Sequence, residues 1–160
     1  MSYLLDVREI LGFAIYIEQR GYEFYVGAMK KFSAGRATEL FQYLADEEFK
    51  HEEYFKKLLE QSGGVRGKTP DPEYQAYLRD FCKAHALADA EAVAGKLDGV
   101  SGMDEILDMA VSFEKDSIVL FSELKEIFGM GNSAAVDRII QEEMGHLRRI
   151  FQMKRELKGK

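Results

Sequence analysis

The chain is poor in the residues that interrupt or cross-link a fold. It has one cysteine, Cys82, and two prolines, Pro70 and Pro72, in 160 residues. A single cysteine excludes an internal disulfide and fits a reducing compartment. It also excludes a four-cysteine iron or zinc module on this chain. Two prolines placed together leave room for long uninterrupted helices on either side. No apolar run reaches membrane-spanning length. Asp6, Arg8 and Glu9 break up the N-terminal segment that could have served as a signal peptide, so the cytoplasm is the default expectation. Positive charge is not in surplus either. The net charge of -6 gives little bulk-charge reason to expect nucleic acid or an anionic membrane as a partner. What is present, 46% apolar and 31% charged residues, suits one soluble domain over residues 1–160 with a sizeable core.

Apolar residues recur at steps of three and four in four long segments, which predicts four long helices and an all-α fold. Helix A starts near Asp6, with Glu9 placed for a capping box. Its inner stripe is Val7, Leu11, Ala14, Glu18, Tyr22, Tyr25, Met29 and Phe32. Gly12, Gly21 and Gly27 within it point to local close packing. Helix B, about Arg36 to Gln61, follows a turn at 33–35. Its stripe is Phe41, Leu44, Glu48, His51, Phe55 and Leu58, with Glu47, Lys50, Glu52, Glu53, Lys56 and Lys57 on a solvated face. Ser62 to Pro72 is loop, and Pro72 to about Ala94 is an inserted helical segment in one piece or two. So long a B-to-C connection implies a crossover. After a turn at 98–102 and a Ser101/Asp104 start, helix C carries Leu107, Ala110, Glu114, Ile118, Phe121, Leu124 and Phe128. Gly129 to Gly131 breaks the chain, and Asn132 or Ser133 caps helix D. Its stripe is Val136, Ile139, Glu143, His146, Ile150, Met153 and Leu157.

Each stripe is interrupted by acid near its middle. Glu18 precedes Glu48-Phe49-Lys50-His51 by 30 positions, and Glu114 precedes Glu143-Met144-Gly145-His146 by 29. Four carboxylates and two imidazoles delivered twice in one order form a ligand set for two metal ions inside a four-helix bundle. Bare, four such carboxylates would repel one another and largely protonate. No lysine or arginine occupies the inner stripes to pair with them instead. Two divalent ions would also bring the net charge from -6 to -2. On this reading Glu48 and Glu143 bridge, His51 and His146 give each ion one terminal histidine, and Glu18 and Glu114 complete the terminal positions. Oxygen and imidazole donors suit iron or manganese; zinc can occupy such a site but does no redox work. The third histidine, His85, follows Phe81 and Cys82 rather than a carboxylate, and is read as a core or surface residue. Cys82 is read as a small buried apolar residue.

At these residues the chain resembles the rubrerythrin-like branch of the ferritin-like di-iron carboxylate superfamily. The family's first half is a glutamate, a tyrosine seven residues later, then Glu-Glu-x-x-His. Here these are Glu18, Tyr25 and Glu47-Glu48-Phe49-Lys50-His51; the second half has Glu114 and Glu142-Glu143-Met144-Gly145-His146. The resemblance implies a ferritin-like four-helix bundle, a di-iron site, reaction with hydrogen peroxide or dioxygen, and a homodimer. It makes Tyr25 the candidate catalytic side chain, hydrogen-bonded near a ligand carboxylate. Three departures stand out. Phe121 takes the place where the second half could repeat the tyrosine. Ser117 stands where rubrerythrins carry an additional helix-C glutamate. No rubredoxin-like module is present, so an external electron-donor protein is the expected partner. Three functions fit: a peroxidase or ferroxidase type of oxidoreductase, an iron-binding, delivery or sensing protein without turnover, and a helical interaction protein with a vestigial site.

Overall fold

The structure, a computed structural model, describes residues 7–33, 35–61, 71–128 and 133–159. They form α1 (Val7–Lys31), α2 (Arg36–Gln61), α3 (Pro72–Ala84), α4 (Ala90–Gly99), α5 (Met103–Phe128) and α6 (Ser133–Lys158). No strand occurs among the described residues. The four long helices pair as α1 with α2 and α5 with α6, and α1 also packs on α5. Contact between α2 and α6 is sparser, and α4 rests on α1. The all-α four-helix bundle with a crossover between its second and third long helices is therefore the architecture that forms. The expected cap at Asp6, the loop over 62–70 and the break over 129–132 fall outside the described residues.

The stripes build the core largely as their spacing predicts. Phe41, Leu44, Phe55 and Leu58 of α2, Leu107, Ala110, Phe121 and Leu124 of α5, and Val136, Ile139 and Ile150 of α6 are buried. Each large side chain so buried contributes about 1.5–3 kcal/mol of transfer free energy. α1 departs from its expected stripe. Tyr22 is exposed, its ring 6.3 Å from that of Phe49, whereas Ile17, Gly21, Phe24 and Ala28 are buried. Residues face one direction every 3.6 positions, so a run of four-residue steps drifts off the inner face. Past Glu18 that face passes through Gly21 instead of Tyr22. Leu157 is exposed at the far end of α6. Gly12 has open space beside it, against expectation, while a Cβ on Gly27 would meet Leu97 Cδ2 at 2.7 Å. Gly35, at φ 99°, supplies the left-handed residue that turns the chain into α2.

The crossover is two helices. Asp71 caps α3, accepting from the Tyr74 N–H at 2.9 Å with Pro72 in the first turn, and Asp89 caps α4 by accepting from the Ala92 N–H at 3.0 Å. α4 runs to Gly99, past the predicted Ala94. Side chains of the bundle hold the pair down. Tyr74 and Tyr77 both donate to Glu123 of α5, and Tyr16 of α1 donates to the Ala88 carbonyl at 3.1 Å. Lys31 at the end of α1 reaches the Leu97 and Asp98 carbonyls, 2.7 Å each, at the negative end of α4. α5 begins at Met103 without the predicted box: Ser101 bonds Glu105, and Asp104 takes Lys154 of α6 at 2.8 Å.

Candidate metal centre

Glu18 of α1, Glu48 and His51 of α2, Glu114 of α5, and Glu143 and His146 of α6 all turn inward at mid-bundle. None is more than 4% exposed. Glu48 and His51 lie three apart on one helix, as do Glu143 and His146, so each pair leaves its helix on one side. The six converge as two overlapping groups. Glu18, Glu48, His51 and Glu143 offer donor atoms within 4.8 Å of one another, and so do Glu48, Glu114, Glu143 and His146. Glu48 and Glu143 belong to both groups, the placement expected of bridging carboxylates. Each imidazole aims Nδ1 at the centre. His51 Nδ1 lies 2.8 Å from Glu143 and 3.7 Å from Glu18; His146 Nδ1 lies 2.9 Å from Glu143, 3.4 Å from Glu114 and 3.7 Å from Glu48. The two rings stack 5.7 Å apart.

The residues fit cations, and the protein's own contacts do not complete them. Both carboxyl oxygens of Glu18 and one each of Glu48, Glu114 and Glu143 are buried without a hydrogen-bond donor. His51 Nδ1 is close to Glu143 but misaligned for a hydrogen bond. Buried polar atoms left in this way cost free energy unless something neutralises them. Without cations, protons do so. Burial above all pushes Glu18 and Glu48 well above the usual carboxylate range. Burial, then the charge of Glu143, raises Glu114 to about 8. Glu143 goes the other way: burial opposes its charge, but its contacts with Glu114, His146 and His51 hold it well below. Burial works against charge on the histidines too, yet their contacts with Glu143 and its neighbours raise His51 to about 10 and His146 to about 11. A cation set would take the place of those protons.

Around this cluster lie residues that tune it. Tyr25 donates its hydroxyl to Glu114 Oε1 at 2.5 Å, and burial followed by the nearby Glu114 charge keeps the phenol protonated. Phe121 packs on Phe55, with ring centroids 5.0 Å apart, so it offers no second hydroxyl. Gly21 makes room for Glu48: a Cβ there would stand 3.1 Å from Glu48 Oε2. Ser117 is buried and engages the crossover, its hydroxyl 3.3 Å from His85 Nε2. The Leu87 N–H donates to His85 Nδ1, and burial lowers His85 to about 4, so this ring is neutral with its proton on Nε2. It is a core histidine, one of the two placements the sequence left open. Cys82 is half-buried, and burial raises its thiol to about 11. Spacing misplaced Glu52, which is buried and bonds Gln19 at 2.8 Å and Lys56 at 2.5 Å. It also gave no role to Glu142, whose carboxylate lies 3.0 Å from His51 Nε2; the doubled glutamate of the motif was the signal.

The comparisons with known proteins point the same way. The family model described as rubrerythrin matches residues 9–94. A crystal structure described as a ferritin-like diiron-carboxylate protein from Thermotoga maritima is 30% identical, with a TM-score of 0.68, covering 98% of this chain and 99% of its own. No curated protein matches at a significant level.

Proposed function

The chain belongs to the rubrerythrin family, and on that premise we propose that it is a non-haem di-iron oxidoreductase of peroxidase or ferroxidase type, reduced by an external donor protein. The observation that carries the reading is the sharing of Glu48 and Glu143 between two four-residue groups, each completed by one glutamate and one histidine. Iron held there would supply one-electron redox chemistry toward peroxide or dioxygen; manganese or zinc could occupy the same donors. The protein's part is to place the donors and control protons. Glu48 and Glu143, shared by both groups, would each be able to serve both cations. Tyr25 keeps a hydroxyl proton on Glu114 Oε1, which leaves Oε2 to turn inward. The apolar stripes on either side exclude bulk water. No described helix is long and apolar enough to cross a membrane.

The test is protein loaded with ferrous iron without oxygen, then mixed separately with peroxide and with oxygenated buffer. An optical change with either oxidant, repeated over many cycles when a reductant protein is supplied, is the expected result. A spectrum inert to both oxidants would overturn the redox reading.

A second reading, iron binding or delivery without turnover, draws support from Ser117. This hydroxyl faces His85 in a place where the family pattern carries another carboxylate, so α5 brings one acid to the centre instead of two. Oxidation that halts after a single cycle despite a reductant would favour it.

A further inference from the structure

We propose that the two cation positions are inequivalent and that Glu142 makes them so: the position beside Glu18 and His51 is the tight one, and the position beside Glu114 and His146 the labile one. The inference rests on the two-cation reading above. The two motifs are alike in sequence, yet their histidines are supported differently. His51 points Nδ1 at the centre and Nε2 outward, 3.0 Å from Glu142 Oε2. A neutral imidazole has one N–H. Donating it to Glu142 fixes it on Nε2 and leaves the Nδ1 lone pair for a cation. Glu142 is itself held, because Arg138 Nε donates to its Oε1 at 3.0 Å.

His146 has no such support. Its Nε2 is buried without a hydrogen-bond partner. Its ring meets the edge of Tyr43 at a centroid distance of 5.9 Å, and Arg149 covers Tyr43 at 4.5 Å. Glu47 has the matching place in the first motif, but it pairs with Lys50 at 2.6 Å. Glu47, His51 and Glu142 do offer atoms within 4.8 Å of one another. A third cation there would need the Nε2 lone pair while Nδ1 serves the inner position, and one neutral ring cannot supply both. Glu142 thus acts through His51, as a positioning residue. A carboxylate behind a metal-bound imidazole orients the ring and raises its basicity, and removing one typically costs roughly 10- to 100-fold in metal affinity.

The test is a titration of metal-free protein with cobalt(II) at fixed pH, followed by calorimetry and visible absorption. Two binding steps are expected, with affinities roughly tenfold or more apart. Glu142→Gln should weaken the tighter step by about 10- to 100-fold, leave the weaker step as it was, and leave the metal-free melting temperature unchanged. Glu142→Asp should recover part of the loss, and Glu47→Gln should alter neither step. Two equal steps in the unaltered protein, or a Glu142→Gln effect that is absent or equal on both, would overturn the inequivalence alone. Failure of the unaltered protein to take up cobalt would overturn the two-cation reading with it.

Discussion

Positions 25 and 121 stand at the same distance after Glu18 and Glu114, but one holds a phenol and the other a phenyl ring. Tyr25 gives buried Glu114 its donor; Phe121 gives only packing. Tyr25→Phe should therefore leave Glu114 Oε1 buried without a partner and destabilise the protein by about 1–3 kcal/mol, read by denaturant unfolding. An unchanged midpoint would mean the bond contributes nothing. Loss of a ligand should divide by role. Glu18→Ala should leave one ion bound and Glu48→Ala neither, by elemental analysis of purified protein, because Glu48 serves both groups. Equal losses would argue against bridging. Gly21→Ala pits a helix-propensity gain of about 1 kcal/mol against a methyl group 3.1 Å from Glu48 Oε2. The expected outcome is a metal-free melting temperature no lower than before, with weaker cobalt binding. At this scale the sequence was legible where an acid broke an apolar stripe, since burying an unpaired charge demands a reason. The role of Glu142 was not legible, because it depends on which way an imidazole ring turns. Close packing at Gly21 was legible, but its partner Glu48 was not, because it comes from another helix.

At the scale of elements, the four long helices could be read from periodicity alone, and the fold bears out that reading. Errors arose where a neighbour decides exposure. Tyr22 lost the inner face to Gly21, and Glu52 was drawn inward by Gln19. The crossover was legible as helical in type, in one piece or two, but the place of its break was not. The chain bends at 85–89 because His85 bonds back to Leu87 and across to Ser117, Asp116 takes the Ala86 N–H at 2.9 Å, and Asp89 restarts a helix. Glu123 collects both crossover phenols. Glu123→Ala should speed amide exchange across residues 72–84 while leaving α1 and α2 protected, as mass spectrometry of exchanged peptides would show. Uniform protection would place the anchor elsewhere, at His85 and Asp116.

For the molecule as a whole, the buried cluster sets how stability depends on pH. Glu114 rises from its ordinary 4.5 to about 8, and His51 and His146 from 6.5 to about 10 and 11. In each case the folded state binds the proton more tightly than the unfolded chain. The stabilisation is complete below the unfolded value and is lost as pH climbs through the folded one. Glu143, held low, has the opposite sign and matters only in acid. Metal-free protein should therefore melt highest near pH 5 and progressively lower toward pH 9. Divalent metal should reverse the trend, because its binding expels those protons and strengthens as they leave. Melting curves at several pH values, with and without cobalt(II), check both slopes; parallel curves would refute the coupling. Metal present at a thousand times its dissociation constant should add about 4 kcal/mol.

The sparse contact between α2 and α6 gives this last effect a direction. These two helices supply both shared carboxylates and both histidines, so cations there would rivet the one flank of the barrel that greasy side chains leave loosely stitched. Starved of metal, the protein should begin to come apart along that flank, opening like a book with α1 and α5 as its spine.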